Sequence, residues 1–207
     1  VIFDSEKLVI ECWQVIADKY GVPDIEEACR ECLGVNATET RQKFLNRYGQ
    51  DFPYDDYKKE MSKLFHDNYD NGRLPMKQGV VELLQYLKET GVKVALASST
   101  RSVVVKQELA DAGIIEYFQV IVGGDMVTRS KPQPDIFLKA CEELGVAPRE
   151  AFAIEDSYNG IRAAAAGCLR PLMVPDLMPP TEEMEEVSEG IFATLTDVKE
   201  YLKAQKG

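Results

Sequence analysis

Ala151-Phe152-Ala153-Ile154-Glu155-Asp156-Ser157 runs an apolar stretch of strand length straight into two adjacent carboxylates and a serine. A short apolar run bounded by polar residues reads as a buried strand. Two carboxylates at its end offer the hard oxygen donors that Mg²⁺ takes while keeping several waters. The plain alternative for Glu155 and Asp156 is an N-cap and a favourable charge at the next helix start. One helix upstream lies Ser130-Lys131-Pro132-Gln133-Pro134-Asp135, a lysine held next to prolines. A lysine is a point charge suited to phosphate, although a lone loop lysine is usually solvated. Metal donors, a lysine and a parallel sheet together point to phosphoryl transfer.

Outward from that stretch, helix and strand patterns alternate from Gly79 onward. Val80–Thr90 is expected to be helical and to stop at Gly91. Val92–Ala97 reads as a strand, 101–112 as a helix closed by Gly113, and Val120–Val122 as a strand closed by Gly123-Gly124. Pro134–Leu144 reads as a helix with proline in its first turn and Gly145 past its end. Ser157–Ala166 is expected to be helical, Leu172–Val174 a strand, Ile191–Ala193 an edge strand and Leu195–Leu202 a final helix. Repeated units of this kind give an α/β, doubly wound (Rossmann-like) parallel sheet with helices on both faces. Ligands of such sheets bind outside the carboxyl ends of the strands. The opening Val1-Ile2-Phe3-Asp4 also reads as a strand. Residues 11–75 differ: helical patterns at Glu26–Leu33, Thr38–Tyr48 and Tyr54–Tyr69 without convincing strands. They read as a small helical domain inserted into a core of 1–10 and 76–207.

The chain has 207 residues, 45% of them hydrophobic, enough for a packed core. Its formal net charge of −11 argues against nucleic acid or an anionic membrane surface as partner. It leaves room for a small anionic substrate, because a local pocket and a metal override the global field. No apolar run approaches membrane-spanning length and no basic-then-apolar leader opens the chain. Five scattered cysteines read as free thiols of a reducing, cytoplasmic compartment. Cys29 and Cys32 have C-x-x-C spacing but no second pair for zinc, so packing is the expected role. His66, the only histidine, reads as a surface residue.

Four strand ends hold the candidate chemistry: Asp4; Ser98 with Ser99, Thr100 and Arg101 opening the following helix; Lys131; and Glu155-Asp156. Hydroxyls and free N–H groups at a helix start form an anion site, with simple helix capping the plain alternative.

On Val1–Asp4, Ala97-Ser98, Lys131-Pro132-Gln133-Pro134-Asp135-Ile136-Phe137 and Glu155-Asp156-Ser157-Tyr158-Asn159-Gly160, the chain resembles the haloacid dehalogenase superfamily. The resemblance is to its helical-cap subgroup of sugar-phosphate phosphatases and β-phosphoglucomutase-like proteins, and it covers nearly the whole chain. It implies a Mg²⁺-dependent phosphatase acting on a small phosphorylated metabolite, a sugar phosphate for example. A phosphomutase or a non-catalytic binding module are the alternatives. By the resemblance, Asp4 would be the nucleophile and a metal ligand. Ser98 and Lys131 would contact the phosphoryl group, with Ser99 and Arg101 beside them, and Glu155 and Asp156 would hold Mg²⁺. An aspartyl-phosphate intermediate splits hydrolysis into two easier displacements. The resemblance also departs at one place. The family pattern is Asp-x-Asp-Gly and, further on, often Asp-Ser-Glu, whereas here Phe3-Asp4 is followed at once by Ser5-Glu6. Asp4 therefore matches either the nucleophile or the later aspartate, and the second aspartate, the family's acid/base, is absent. Either the chain lacks this loop or the sequence is joined across it. Arg41, Lys43 and Arg47 are candidate specificity residues of the helical insertion. The chain is expected to be a monomer or a weak homo-oligomer.

Overall fold

A computed structural model describes residues 1–33, 35 and 37–205. Ten α-helices and five short strands are found among them. The first half holds α1 (Ser5–Tyr20), α2 (Ile25–Arg30), α3 (Ala37–Tyr48) and α4 (Tyr54–Tyr69). The second alternates: α5 (Val80–Glu89), β1 (Ala95–Ser98), α6 (Ser102–Asp111), β2 (Val120–Gly123), α7 (Asp135–Leu144), β3 (Phe152–Glu155), α8 (Tyr158–Ala166), β4 (Arg170–Met173), α9 (Glu182–Val187), β5 (Gly190–Ile191) and α10 (Leu195–Ala204). Glycine supplies the left-handed residue that stops α1 at Gly21 and α7 at Gly145.

All ladders are parallel, as the alternation requires. β1 pairs with β2, and β4 lies between β3 and β5. Leu96, Ile121, Phe152, Ile154 and Leu172 pack with α5, α6 and α10 on one face. Ala95, Ala97, Val122 and Ala153 pack with α7 and α8 on the other. The fold is thus doubly wound, but in two sheets of two and three strands rather than one. Val1–Asp4 was expected as a strand and forms none. It makes only an antiparallel bridge, Phe3 opposite Met76, with Asp4 N–H donating to the Pro75 carbonyl and Lys77 N–H to that of Ile2. An apolar triplet becomes a strand only through a ladder, and this one pairs with the chain returning from the helical insertion. β4 begins two residues before the expected start and includes Pro171, which is opposite Ala153 in the β3 ladder. Its missing donor is tolerated because β5 reaches only Leu172 and Met173.

The helical insertion has its own aromatic core. Trp13, Phe44 and Tyr54 are buried, with Trp13–Phe44 and Phe44–Tyr54 ring centroids both 5.0 Å apart. Cys29 is buried in this core, and burial pushes its thiol up to about 12. Cys29 and Cys32 are free and serve packing. His66 is exposed, its Nδ1 2.9 Å from Asp70. Among the described residues no helix is long and apolar enough to cross a membrane.

Phe44 meets four other rings and is 1% exposed. Phe44→Ala is expected to cost about 3–5 kcal/mol, read as a lower denaturant midpoint from Trp13 fluorescence. A loss below about 1 kcal/mol would show that this ring does not anchor the insertion.

Candidate active site

β3 ends on Glu155, which is 5% exposed. A bare carboxylate so deep would be very unfavourable, and the fold supplies partners on every side. Glu155 Oε1 is paired with the Lys131 ammonium, whose side chain is only 9% exposed. Its Oε2 accepts from the Asp156 N–H and the Ser157 hydroxyl, each at 3.3 Å. Ser157 caps α8 by accepting the Gly160 N–H at 3.1 Å. Gly160 is required by space: a Cβ there would stand 2.1 Å from the Glu155 carboxyl carbon. Lys131 lies 5.0 Å over the Phe137 ring, a second favourable contact for its charge.

β1 ends on Ser98, whose Oγ accepts the Thr100 N–H at 3.2 Å. Ser99 and Arg101 are exposed. Gly124 allows β2's end to close on this loop, since a Cβ would lie 2.3 Å from the Ser99 carbonyl oxygen. The start of α6 is already occupied by a carboxylate: Asp125 accepts the Ser102 N–H at 2.7 Å and its hydroxyl at 3.0 Å. These bonds, the backbone one foremost, hold Asp125 below the usual carboxylate range. The expected anion site at this helix start is therefore partly satisfied from within.

Ser98, Ser99, Arg101, Lys131, Glu155 and Asp156 all line one cavity of about 1280 Å³ at and behind the strand ends. Asp4 does not line it. It is the N-cap residue of α1, and its Oδ1 accepts from Lys77 Nζ at 3.3 Å. Lys77 also reaches Asp176 at 2.7 Å. Burial alone disfavours the Lys77 charge, but its bonds to Asp176 and Asp4 hold the ammonium above the usual lysine range. Asp156 is paired with the Val1 ammonium. Among the described residues no three or more His, Cys, Asp or Glu side chains converge as a metal site. Glu155 and Asp156 nevertheless fit Mg²⁺ in kind, because that ion is commonly held by one or two carboxylates plus substrate phosphate.

Lys77, Asp176, Asp125 and Glu6 were not found from the sequence. Lys77, Asp176 and Asp125 are single charged residues with no motif around them, and Glu6 stood in the Ser5-Glu6 match without a role assigned to it. Glu6 lines the cavity; its burial, and next the charge of Asp156, push its carboxyl up to about 7. Arg41 pairs with Asp55, and Arg47 with Glu27 and Glu31, so these arginines serve ion pairs within the insertion.

A family profile described as haloacid dehalogenase-like hydrolase matches residues 1–174. The chain belongs to that family. A phosphorylated carbohydrates phosphatase of Thermotoga maritima is 32% identical over 168 residues, 79% of this chain and 76% of the relative. A β-phosphoglucomutase of Bacillus subtilis is also 32% identical, over 79% of this chain and 74% of its own. Among solved structures, CbbY from Rhodobacter sphaeroides in complex with phosphate is similar with a TM-score of 0.76 and 26% identity. The match covers 96% of this chain and 92% of that one.

The raised Glu6 carboxyl makes a pH prediction. Its folded value, about 7, lies above its ordinary 4.5, so the folded protein holds the proton more tightly than the unfolded chain. Stability is then lost as pH rises from about 4.5 to about 7 and is flat beyond. Glu6→Gln removes this loss and is expected to gain about 3 kcal/mol over the parent across that window, measured by chemical denaturation at stepped pH. A parallel pH profile for the two proteins would refute the assignment.

Proposed function

We propose that this chain hydrolyses the phosphoric monoester of a small phosphorylated metabolite, with sugar phosphates as the substrate class. The observation that carries the reading is the convergence of Ser98, Lys131, Glu155 and Asp156 on one cavity at the carboxyl ends of parallel strands. The named activities of the phosphatase and phosphoglucomutase relatives agree with it.

In this reading the Ser98 hydroxyl donates to a phosphoryl oxygen and the Lys131 ammonium neutralises the charge that develops on the oxygens. Glu155 aims Lys131, because the pair is fixed by the Ser157 and Asp156 donors. Glu155 and Asp156 would hold Mg²⁺, which when bound supplies further neutralisation of the phosphate. Asp4 is the nucleophile we assign, and its carboxylate must leave Lys77 to reach the phosphorus. Its oxygen forms a bond to phosphorus as the ester oxygen departs with the bonding pair and takes a proton from solvent. Water then attacks the acyl phosphate, the Asp4–phosphorus bond breaks, and inorganic phosphate leaves. The helical insertion, 11–75, acts as the cap that excludes bulk water and selects the leaving group.

Phosphate release from an aryl phosphate and from a panel of sugar phosphates, with and without Mg²⁺, tests this. Lys131→Met is expected to lower kcat/KM by about 10²- to 10³-fold, and Asp156→Ala to abolish the Mg²⁺ dependence. Turnover unaffected by Lys131→Met, Asp156→Ala and Asp4→Asn would reject the site. No turnover in the parent would favour a binding module. Isomerised sugar phosphate without free phosphate would favour the mutase, a reading supported by the 32% identity to β-phosphoglucomutase.

A further inference from the structure

Asparagine followed by glycine occurs twice, at Asn71-Gly72 and at Asn159-Gly160. In such a pair the glycine amide nitrogen can attack the asparagine carboxamide, because no Cβ on the glycine stands in the way. The fold gives the two copies opposite surroundings. Asn159 and Gly160 lie in the first turn of α8. There Gly160 is buried and its N–H donates to the Ser157 hydroxyl at 3.1 Å, while Asn159 Oδ1 accepts from Arg162 at 3.4 Å. Asn71 and Gly72 form an exposed turn just past the end of α4, with φ of 62° and 76°. Among the described residues the Gly72 N–H has no hydrogen-bond acceptor and the Asn71 side chain no partner. The turn itself selects this pair. Left-handed backbone at two successive positions favours asparagine and glycine, and a Cβ at 72 would lie 2.6 Å from the Asp111 carbonyl oxygen at the end of α6.

We propose that Asn71 is a site of spontaneous deamidation in the folded chain, and that the acid formed there loosens the contact between the end of α4 and α6. The Gly72 nitrogen bonds to Asn71 Cγ, the Cγ–Nδ2 bond breaks, and the side-chain nitrogen leaves as ammonia with the proton given up by Gly72. Water then adds to either carbonyl of the succinimide ring and that C–N bond breaks, the nitrogen regaining a proton. Aspartate or its iso form remains. The neighbourhood is already acidic. Burial, and next the charge of Asp70, hold the Glu108 carboxyl of α6 above its ordinary range. His66 Nδ1 lies 2.9 Å from Asp70, and the Arg73 guanidinium donates to the Asp67 and Asp70 carbonyls, each at 2.9 Å. The local cations are thus engaged, and a carboxylate at 71 adds like charge beside Asp70 and Glu108. The iso form also inserts a backbone methylene into a turn that closes on the Asp111 carbonyl. This inference does not depend on the phosphatase reading.

The test holds the whole folded chain at mildly alkaline pH, where the amide nitrogen gives up its proton more readily, and follows both sites by peptide mapping. Acid is expected to accumulate at Asn71 at least about tenfold faster than at Asn159. In denaturant, which removes the α8 bonds, the two rates are expected to converge. Asn71→Gly keeps the left-handed turn and is expected to stay unmodified at 71. In the aged parent, hydrogen exchange is expected to quicken about threefold or more at the Asp70 and Ala112 amides, which bond within the last turns of α4 and α6. Aged Asn71→Gly is expected to show no such change. Equal rates at Asn71 and Asn159 in the folded chain would overturn the site, as would no acid at Asn71 over a period in which the denatured chain converts. Unchanged exchange at Asp70 and Ala112 in the converted chain would overturn the loosening.

Discussion

The buried pair between Lys131 and Glu155 holds the carboxyl ends of the strands in register. Neither group could be this deep alone, and removing one partner of such a pair commonly costs several kcal/mol because the other charge is stranded. The pair ties the segment before α7 to the end of β3, two pieces separated by a whole helix–strand unit. α7 packs on β1 and β2, so fixing its entry also fixes where Ser98 stands relative to Glu155. The absence of a side chain at Gly160 is part of the same arrangement, since any Cβ would collide with the carboxylate. Geometry at three strand ends therefore follows from one desolvated contact and the space left for it.

Around that contact the remaining charges sort themselves by access to partners. Lys77 takes Asp4 and Asp176, the Val1 ammonium takes Asp156, and Glu6 is left in the cavity with carboxylates about it. Its response is to hold a proton near neutrality, because burial and then the charge of Asp156 disfavour its carboxylate. On the proposed reading, an entering phosphate would meet cations already engaged by carboxylates, would share Lys131 with Glu155, and would be helped by a divalent ion at Asp156. The chain's overall negative charge describes none of this, because the local balance is set over a few ångströms.

What the sequence revealed follows the range of the interactions involved. The order of elements from Gly79 onward was legible because each strand is an apolar run and glycines such as Gly145 mark helix ends through local backbone demands. The residues at the carboxyl ends of those strands were legible for the same reason. The state of Val1–Phe3 was not, since an apolar triplet does not say which chain it will pair with. Pro171 hid the start of β4, because only the shortness of β5 makes a proline acceptable there. Lys77 and Asp176 are separated by nearly half of the chain and meet through tertiary packing alone. Asp4 carried a motif-like context, yet its carboxylate meets Lys77 and does not line the cavity.

That orientation of Asp4 links the helical insertion to the chemistry. Two segments cross between insertion and sheets, and they are joined by the Phe3–Met76 bridge and its flanking hydrogen bonds. Asp4 and Lys77 sit on this crossing, one on each segment, and Glu6 lies in the first turn of α1 beyond it. The ring-packed core of the insertion resists internal rearrangement, so a rotation of α1 would be felt at the crossing. Such a rotation would part Asp4 from Lys77 and move Glu6 relative to Asp156. Of these residues Glu6 lines the cavity, while Asp4 and Lys77 stand beside it on the crossing.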